Sequence, residues 1–157
     1  WLPMMPSVSA VAKRLDLSLS RASLSLRALE ARGLLTARRV GSQVIYRPSP
    51  APVTEAAQAL VPALRLALRR NAAAVEEIFK LATAFTHPRR IELFRILKNQ
   101  EQTLRQLQAS TKMSGWALRR HLGKLEARGL VKGHQRSYVA TGGASDFGQV
   151  LTRLAAR

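Results

Sequence analysis

Apolar residues recur at helical spacing in short blocks over the first fifty positions. Val8, Val11, Ala12 and Leu15 stand at i, i+3, i+4 and i+7 behind Ser7, whose hydroxyl suits it to cap a helix start. After a tight connection Ser18 opens a second block, with Ala22, Leu26 and Leu29 at i, i+4 and i+7. That spacing predicts a longer helix stopping near Gly33, because glycine takes the left-handed conformation that closes a helix at low cost. Then Leu34 and Leu35, Arg38 to Val40, a polar turn at Gly41 and Ser42, and Val44 to Tyr46 read as a two-stranded hairpin. Two helices joined by a tight turn and followed by a hairpin make a winged helix.

The pattern then returns. LEARGL occupies residues 29–34 and again residues 125–130, a register of 96. Carrying that offset outward puts Ser7, Val8, Val11, Leu17 and Ser18 on Thr103, Leu104, Leu107, Met113 and Ser114, and Ala22, Leu26 and Leu29 on Leu118, Leu122 and Leu125. Apolar positions are kept while polar ones drift, as a duplicated core requires. The second copy adds Gln106 three residues after Thr103, a capping box opening a short helix to Ser110. Its second helix runs from Ser114 towards Gly129. A shorter hairpin follows, from Leu130 and Val131 through a basic tip to Tyr138 and Val139.

The expected fold is therefore mainly α with small β-hairpin wings: two winged helix-turn-helix modules joined by connector helices. We place the first module at 1–50, a helical connector at 51–74, and the second module with a C-terminal helix at 75–157. PSPAP at 48–52 marks the first boundary. Leu60, Leu64 and Leu68, then Val75, Ile78, Leu81, Ala82 and Phe85, carry the helical pattern onward, with Pro62 expected to start or kink a helix. Pro88 permits a new helix bearing Ile91, Leu93, Phe94, Ile96 and Leu97, and Ser145 introduces a last one with Phe147, Val150, Leu151 and Leu154. Trp1 in place of an initiator methionine suggests a trimmed piece whose first module lacks its leading helices.

Charge narrows the function further than composition does. Against 9 Asp and Glu stand 26 Lys and Arg, a formal net charge of +17 that calls for an anionic partner. Eight basic residues face two acidic ones in 1–50, eight face four in 51–100, and ten face three in 101–157, so the repeats are more basic than the stretch between them. This distribution fits nucleic acid better than a single basic tail would. There is no cysteine, hence no disulfide, thiolate metal site or cysteine nucleophile. His87, His121 and His134 show no ligand spacing, so no metal or other cofactor is expected. Apolar runs are broken well short of a membrane span, and the expected location is the cytoplasm, at the nucleoid. Catalysis is not expected either: TGG at 141–143 reads as a turn signal, and Glu76 and Glu77 as solvated residues on a connector helix.

LATAFTHPRRIELFRIL at 81–97 and MSGWALRRHLGKLEARGLV at 113–131 are similar to the opening helices and the recognition helix of the ArsR-like family of bacterial winged-helix transcription regulators. The likeness covers residues 75 to 140. It extends to 7–47 only from the helix-turn-helix onward. What it implies is DNA binding and, as a default, repression. The cysteines, or the carboxylate and histidine pairs on the last helix, through which many members sense metals do not occur here, so no effector can be carried over.

A helix in the major groove reads bases from its outward N-terminal positions, while basic side chains around it hold phosphates. The base-reading candidates are Ser20, Arg21, Ser23 and Arg27 in the first copy, and Trp116, Arg119 and Arg120 in the second. Backbone and wing candidates are Arg38, Arg39, Gln43, His121, Lys124, Lys132 and Arg136. Trp116 is expected to pack partly on its own module, and His121 to hydrogen-bond backbone or phosphate. Unequal wings and surfaces imply an asymmetric duplex site, read by one chain as an intramolecular pseudo-dimer or by a homodimer. The rivals are a winged-helix protein scaffold, disfavoured by arginines on the reading helices, and sequence-neutral nucleic-acid packing.

Overall fold

In the computed structural model, residues 6–49, 54–70 and 74–157 are described. The chain divides into two compact units, Trp1–Pro62 and Ala63–Arg157. Trp1 and most of the Pro-rich boundary at 48–52 lie outside the described residues, as do 71–73 of the connector.

In the first unit, α1 (Val8–Arg14) and α2 (Leu19–Ala31) precede an antiparallel hairpin of β1 (Leu35–Val40) and β2 (Gln43–Pro48). Ser7 and Ser18 cap the two helices through their hydroxyls, which accept from the amides of Ala10 at 3.2 Å and Arg21 at 3.3 Å. Between the helices Asp16 takes a positive φ of 50°, a conformation aspartate tolerates better than most residues. Ala12, Ala22, Leu26 and Tyr46 form the buried interior. Leu15 departs from expectation: α1 stops at Arg14, and Leu15 at the cap is 61% exposed instead of completing the apolar face.

Helix α3 (Glu55–Arg70) crosses the division between the units. Pro62 neither starts nor ends it but lies inside it, where it withholds one backbone donor.

The second unit continues with α4 (Ala74–Ala82), a 3-10 turn at Thr83–Phe85, and α5 (Pro88–Asn99). Next come β3 (Gln102–Thr103), α6 (Leu104–Thr111) and α7 (Gly115–Glu126). The wing is β4 (Val131–His134) and β5 (Ser137–Ala140), and α8 (Asp146–Ala155) closes the chain. Its sheet has the order β3-β5-β4, all antiparallel. The two-residue strand β3 was not expected from sequence, because so short a segment has no periodicity to read.

The core of this unit gathers Leu93, Phe94 and Leu97 of α5, Leu107 of α6, Leu118, Leu122 and Leu125 of α7, and Leu130, all shielded almost completely from solvent. Phe85 meets Phe94 edge to face at 5.1 Å between ring centroids, a favoured aromatic geometry. Helix α8 lies against α4 and α5, and Arg95 Nε donates to the Ala155 carbonyl at 3.0 Å to fasten its end. Gly143, expected only to mark a turn, is buried against the backbone of Gly148 so closely that a Cβ would collide with it.

Candidate functional site

Helix α7 owes its start to a short turn rather than to its own propensity. Lys112 adopts a positive φ of 56° after α6, Met113 tucks into the interior, and the Ser114 hydroxyl accepts from the Ala117 amide at 3.3 Å. Upstream, the Thr103 hydroxyl accepts from the Gln106 amide at 3.3 Å while Gln106 Oε1 accepts from the Thr103 amide at 2.8 Å, completing the capping box. With Leu118, Leu122 and Leu125 inside, the opposite side of α7 faces water. Arg119, Arg120 and Lys124 are all exposed there.

Trp116 corrects an expectation. Instead of packing on its module it is 71% exposed, because its place in the first turn of α7 points away from the leucine stripe. The Arg120 guanidinium lies 5.4 Å from its ring centroid, close enough for a cation–π contact that holds both side chains on the outer surface.

An open cleft runs beside this helix, lined by Arg105, Arg119, His134, Gln135 and Arg136 among others. It joins the start of α6, Arg119 on the second turn of α7 and the wing tip. Arg105 is not legible as a site residue from sequence, since one arginine at the start of a short helix carries no pattern. Lys132 and Arg136 are exposed on the wing, which the Gly133 amide ties to α7 by donating to Glu126 Oε1 at 3.0 Å. Gln135 turns the hairpin with a positive φ of 53°.

At His121 the Nδ1 atom is buried and has no hydrogen-bond partner among the described residues. The side chain turns inward to meet His87, with ring centroids 4.6 Å apart. His87 caps α5, its Nδ1 accepting from the Arg89 amide at 3.1 Å. Beneath them Arg90 is buried, donating to the carbonyls of Ala84 and Thr83 and to the Thr86 hydroxyl, and thereby latching the 3-10 turn onto α5. Burial, then the neighbouring Arg128 and Arg120, press its pKa below the ordinary guanidinium value.

For His121, burial first and then His87, Arg90, Arg120 and Lys124 push the pKa below the usual histidine range. The unfolded chain therefore takes up this proton at higher pH than the folded one does, and folding favours the neutral ring. This contribution to stability is whole above the ordinary histidine pKa of roughly 6.5 and is lost as pH falls towards the lowered value. In urea unfolding between pH 7.5 and 5.5, His121→Gln is expected to lose less stability than the wild type. The difference has a ceiling of about 1.4 kcal/mol per pH unit. Identical pH profiles would remove His121 from this role.

The first unit's candidates occupy α2 and its wing. Ser20, Arg21 and Arg27 are exposed and Ser23 is half-buried, while Arg38, Arg39 and Gln43 are exposed on the hairpin. Ser20, Ser23 and Gln43 line a cleft with Ser7, Val8 and Leu19, and Arg21, Arg27, Arg38 and Arg39 do not. Leu19 and Leu24 are exposed on the same helix, at 59% and 66%. Helical periodicity places both outward and gives neither a role.

Among the described residues, no group of three His, Cys, Asp or Glu could hold a metal ion, and no helix is long and apolar enough to cross a membrane. Residues 87–132 match the family model described as bacterial regulatory protein, arsR family. That span runs from the cap of α5 through α7 into β4, and a helix-turn-helix of this type points to a DNA-binding transcription regulator. No curated protein and no solved structure matches the chain significantly.

Proposed function

We propose that the chain is a sequence-specific regulator that binds double-stranded DNA and acts as a repressor, reading one asymmetric site with two non-identical recognition helices, α2 and α7. The observation that carries this reading is the outer surface of α7, where Arg119, Arg120 and Lys124 stand exposed in a helix-turn-helix matched to the arsR family. Polyanion binding follows from those charges, and base discrimination from arginines that can donate two hydrogen bonds to guanine.

Local geometry supports a second reading helix. At an offset of 96, Asp16 and Lys112 share a positive φ in the turn, and Gly33 and Gly129 share one after the reading helix. The Leu34 amide donates to the Leu29 carbonyl at 3.0 Å, as Leu130 does to Leu125. Arg32 Nη1 donates to the Ala28 carbonyl at 2.9 Å, as Arg128 does to Lys124. Once the wings are aligned by their own pairing, the Ser7–Ile45 bridge corresponds to the pairing of Thr103 with Ser137. We read these matches as one module used twice, and the chain as a binding protein rather than an enzyme. Glu76 and Glu77 are exposed on α4, in keeping with a solvated face.

Selecting bound duplexes from a random pool tests this. A two-part sequence should emerge that binds roughly 10³-fold more tightly than random duplex, the usual margin of a specific binder. Arg21→Ala should relax preference in one part and Arg119→Ala in the other. A margin below about tenfold would instead indicate sequence-neutral packing, and relaxation of both parts by one variant would remove the two-helix reading.

A further inference from the structure

The two clefts stand at matching places in the repeat but carry opposite chemistry. Where the second unit has Arg105, Arg119 and Arg120, the same register gives Ser9, Ser23 and Leu24. Ser9 and Ser23 line the first cleft, as Arg105 and Arg119 line the second. Among the described residues, no charged side chain lines the first cleft. The first unit keeps its charge around the cleft, with Arg21 and Arg27 along α2 and Arg38 and Arg39 on the wing, all exposed.

Leu19 and Leu24 add a second observation. Two leucines more than half exposed on one helix leave apolar area in water that a partner would cover. The cationic surround favours a polyanion as that partner and disfavours a second copy of a chain whose net charge is +17. In a duplex major groove, the apolar group within reach is the thymine C5 methyl, whereas serine hydroxyls accept several bases.

Resting on the DNA-binding reading above, we infer that the two units read chemically different half-sites. The α2 unit recognises a thymine-rich half through methyl contacts with Leu19 and Leu24, while its wing arginines hold the backbone. The α7 unit recognises a guanine-containing half through Arg119 and Arg120. Discrimination in the α2 half thus gains an apolar, salt-insensitive component beside that of Arg21, whereas in the other half it is cationic.

Uracil pairs like thymine but lacks the methyl, which makes it the probe. The full chain is titrated with its selected duplex carrying uracil for thymine in one half at a time, the α2 half being the one that Arg119→Ala leaves unrelaxed. Each methyl removed there should weaken binding about fourfold, the worth of one buried carbon, with no change when the other half is substituted. Leu24→Ser should then lose part of the difference between the thymine and uracil duplexes, and Leu19→Ser with Leu24→Ser nearly all of it. Tight binding that is indifferent to uracil in both halves overturns the inference and leaves the regulator reading intact. The inference falls equally if Leu24→Ser leaves DNA binding untouched, which would point to a protein partner for the leucines. Failure to select any duplex defeats the regulator reading itself.

Discussion

Alanine at both Arg119 and Arg120 is expected to weaken binding of the selected duplex by about 10²-fold or more, since a good arginine–base pair contributes roughly 1–3 kcal/mol of discrimination. Arg119 opens onto the cleft beside the wing, and Arg120 is braced over Trp116 on the exposed side of the same helix. Neither makes an ion pair among the described residues that would hold it back from a ligand. If they read bases, the loss should be largest on the selected sequence and much smaller on random duplex. Anisotropy titrations on both duplexes at several salt concentrations check this. An equal loss on every sequence, with a logarithmic salt slope shallower by about two, would make both residues phosphate clamps.

Phe94→Ala is expected to have the largest effect on stability, about 3–5 kcal/mol. Phe94 is wholly inaccessible to solvent, is met edge-on by Phe85, and belongs to the helix against which α6, α7 and α8 pack. Its removal leaves a cavity under α7 that neighbouring leucines, fixed by their own helices, can only partly fill. Urea unfolding followed by circular dichroism measures the loss, and Phe94→Leu should recover much of it. A cost below about 1 kcal/mol would show that the site collapses freely, contrary to the close packing of an interior.

One effect falls on an exposed helix surface and the other in the interior, and the sequence announced them unequally. Local elements were plain in it. Ser7, Ser18, Thr103, Ser114 and Ser145 all cap helices where hydroxyl followed by apolar periodicity placed a start. The hairpins turn at Gly41 and at Gln135, between strands whose β-rich segments are visible in the sequence. Such features depend on neighbours a few residues away, so a short window holds the information.

Orientation and contact were less legible. Trp116 was expected to pack inward from the general habit of tryptophan, yet its helical position turns it out against Arg120. For His121 a backbone or phosphate hydrogen bond was expected, and nothing nearby in the chain announced that its ring would meet His87, thirty-four positions earlier. Arg90 is inconspicuous in a basic run, though it is the guanidinium that holds the 3-10 turn. In each case the deciding partner lies on another turn or another element.

Helix starts, the glycines that close them, the second LEARGL at a register of 96 and the excess of positive charge are all readable from the chain alone. Those properties belong to single residues and short periods. Folding set which arginines share a cleft, that no charged side chain among the described residues lines the cleft of the first unit, and that Leu19 and Leu24 stand open to water. Solvent exposure and convergence are set by packing between elements distant in the chain, which no local pattern encodes.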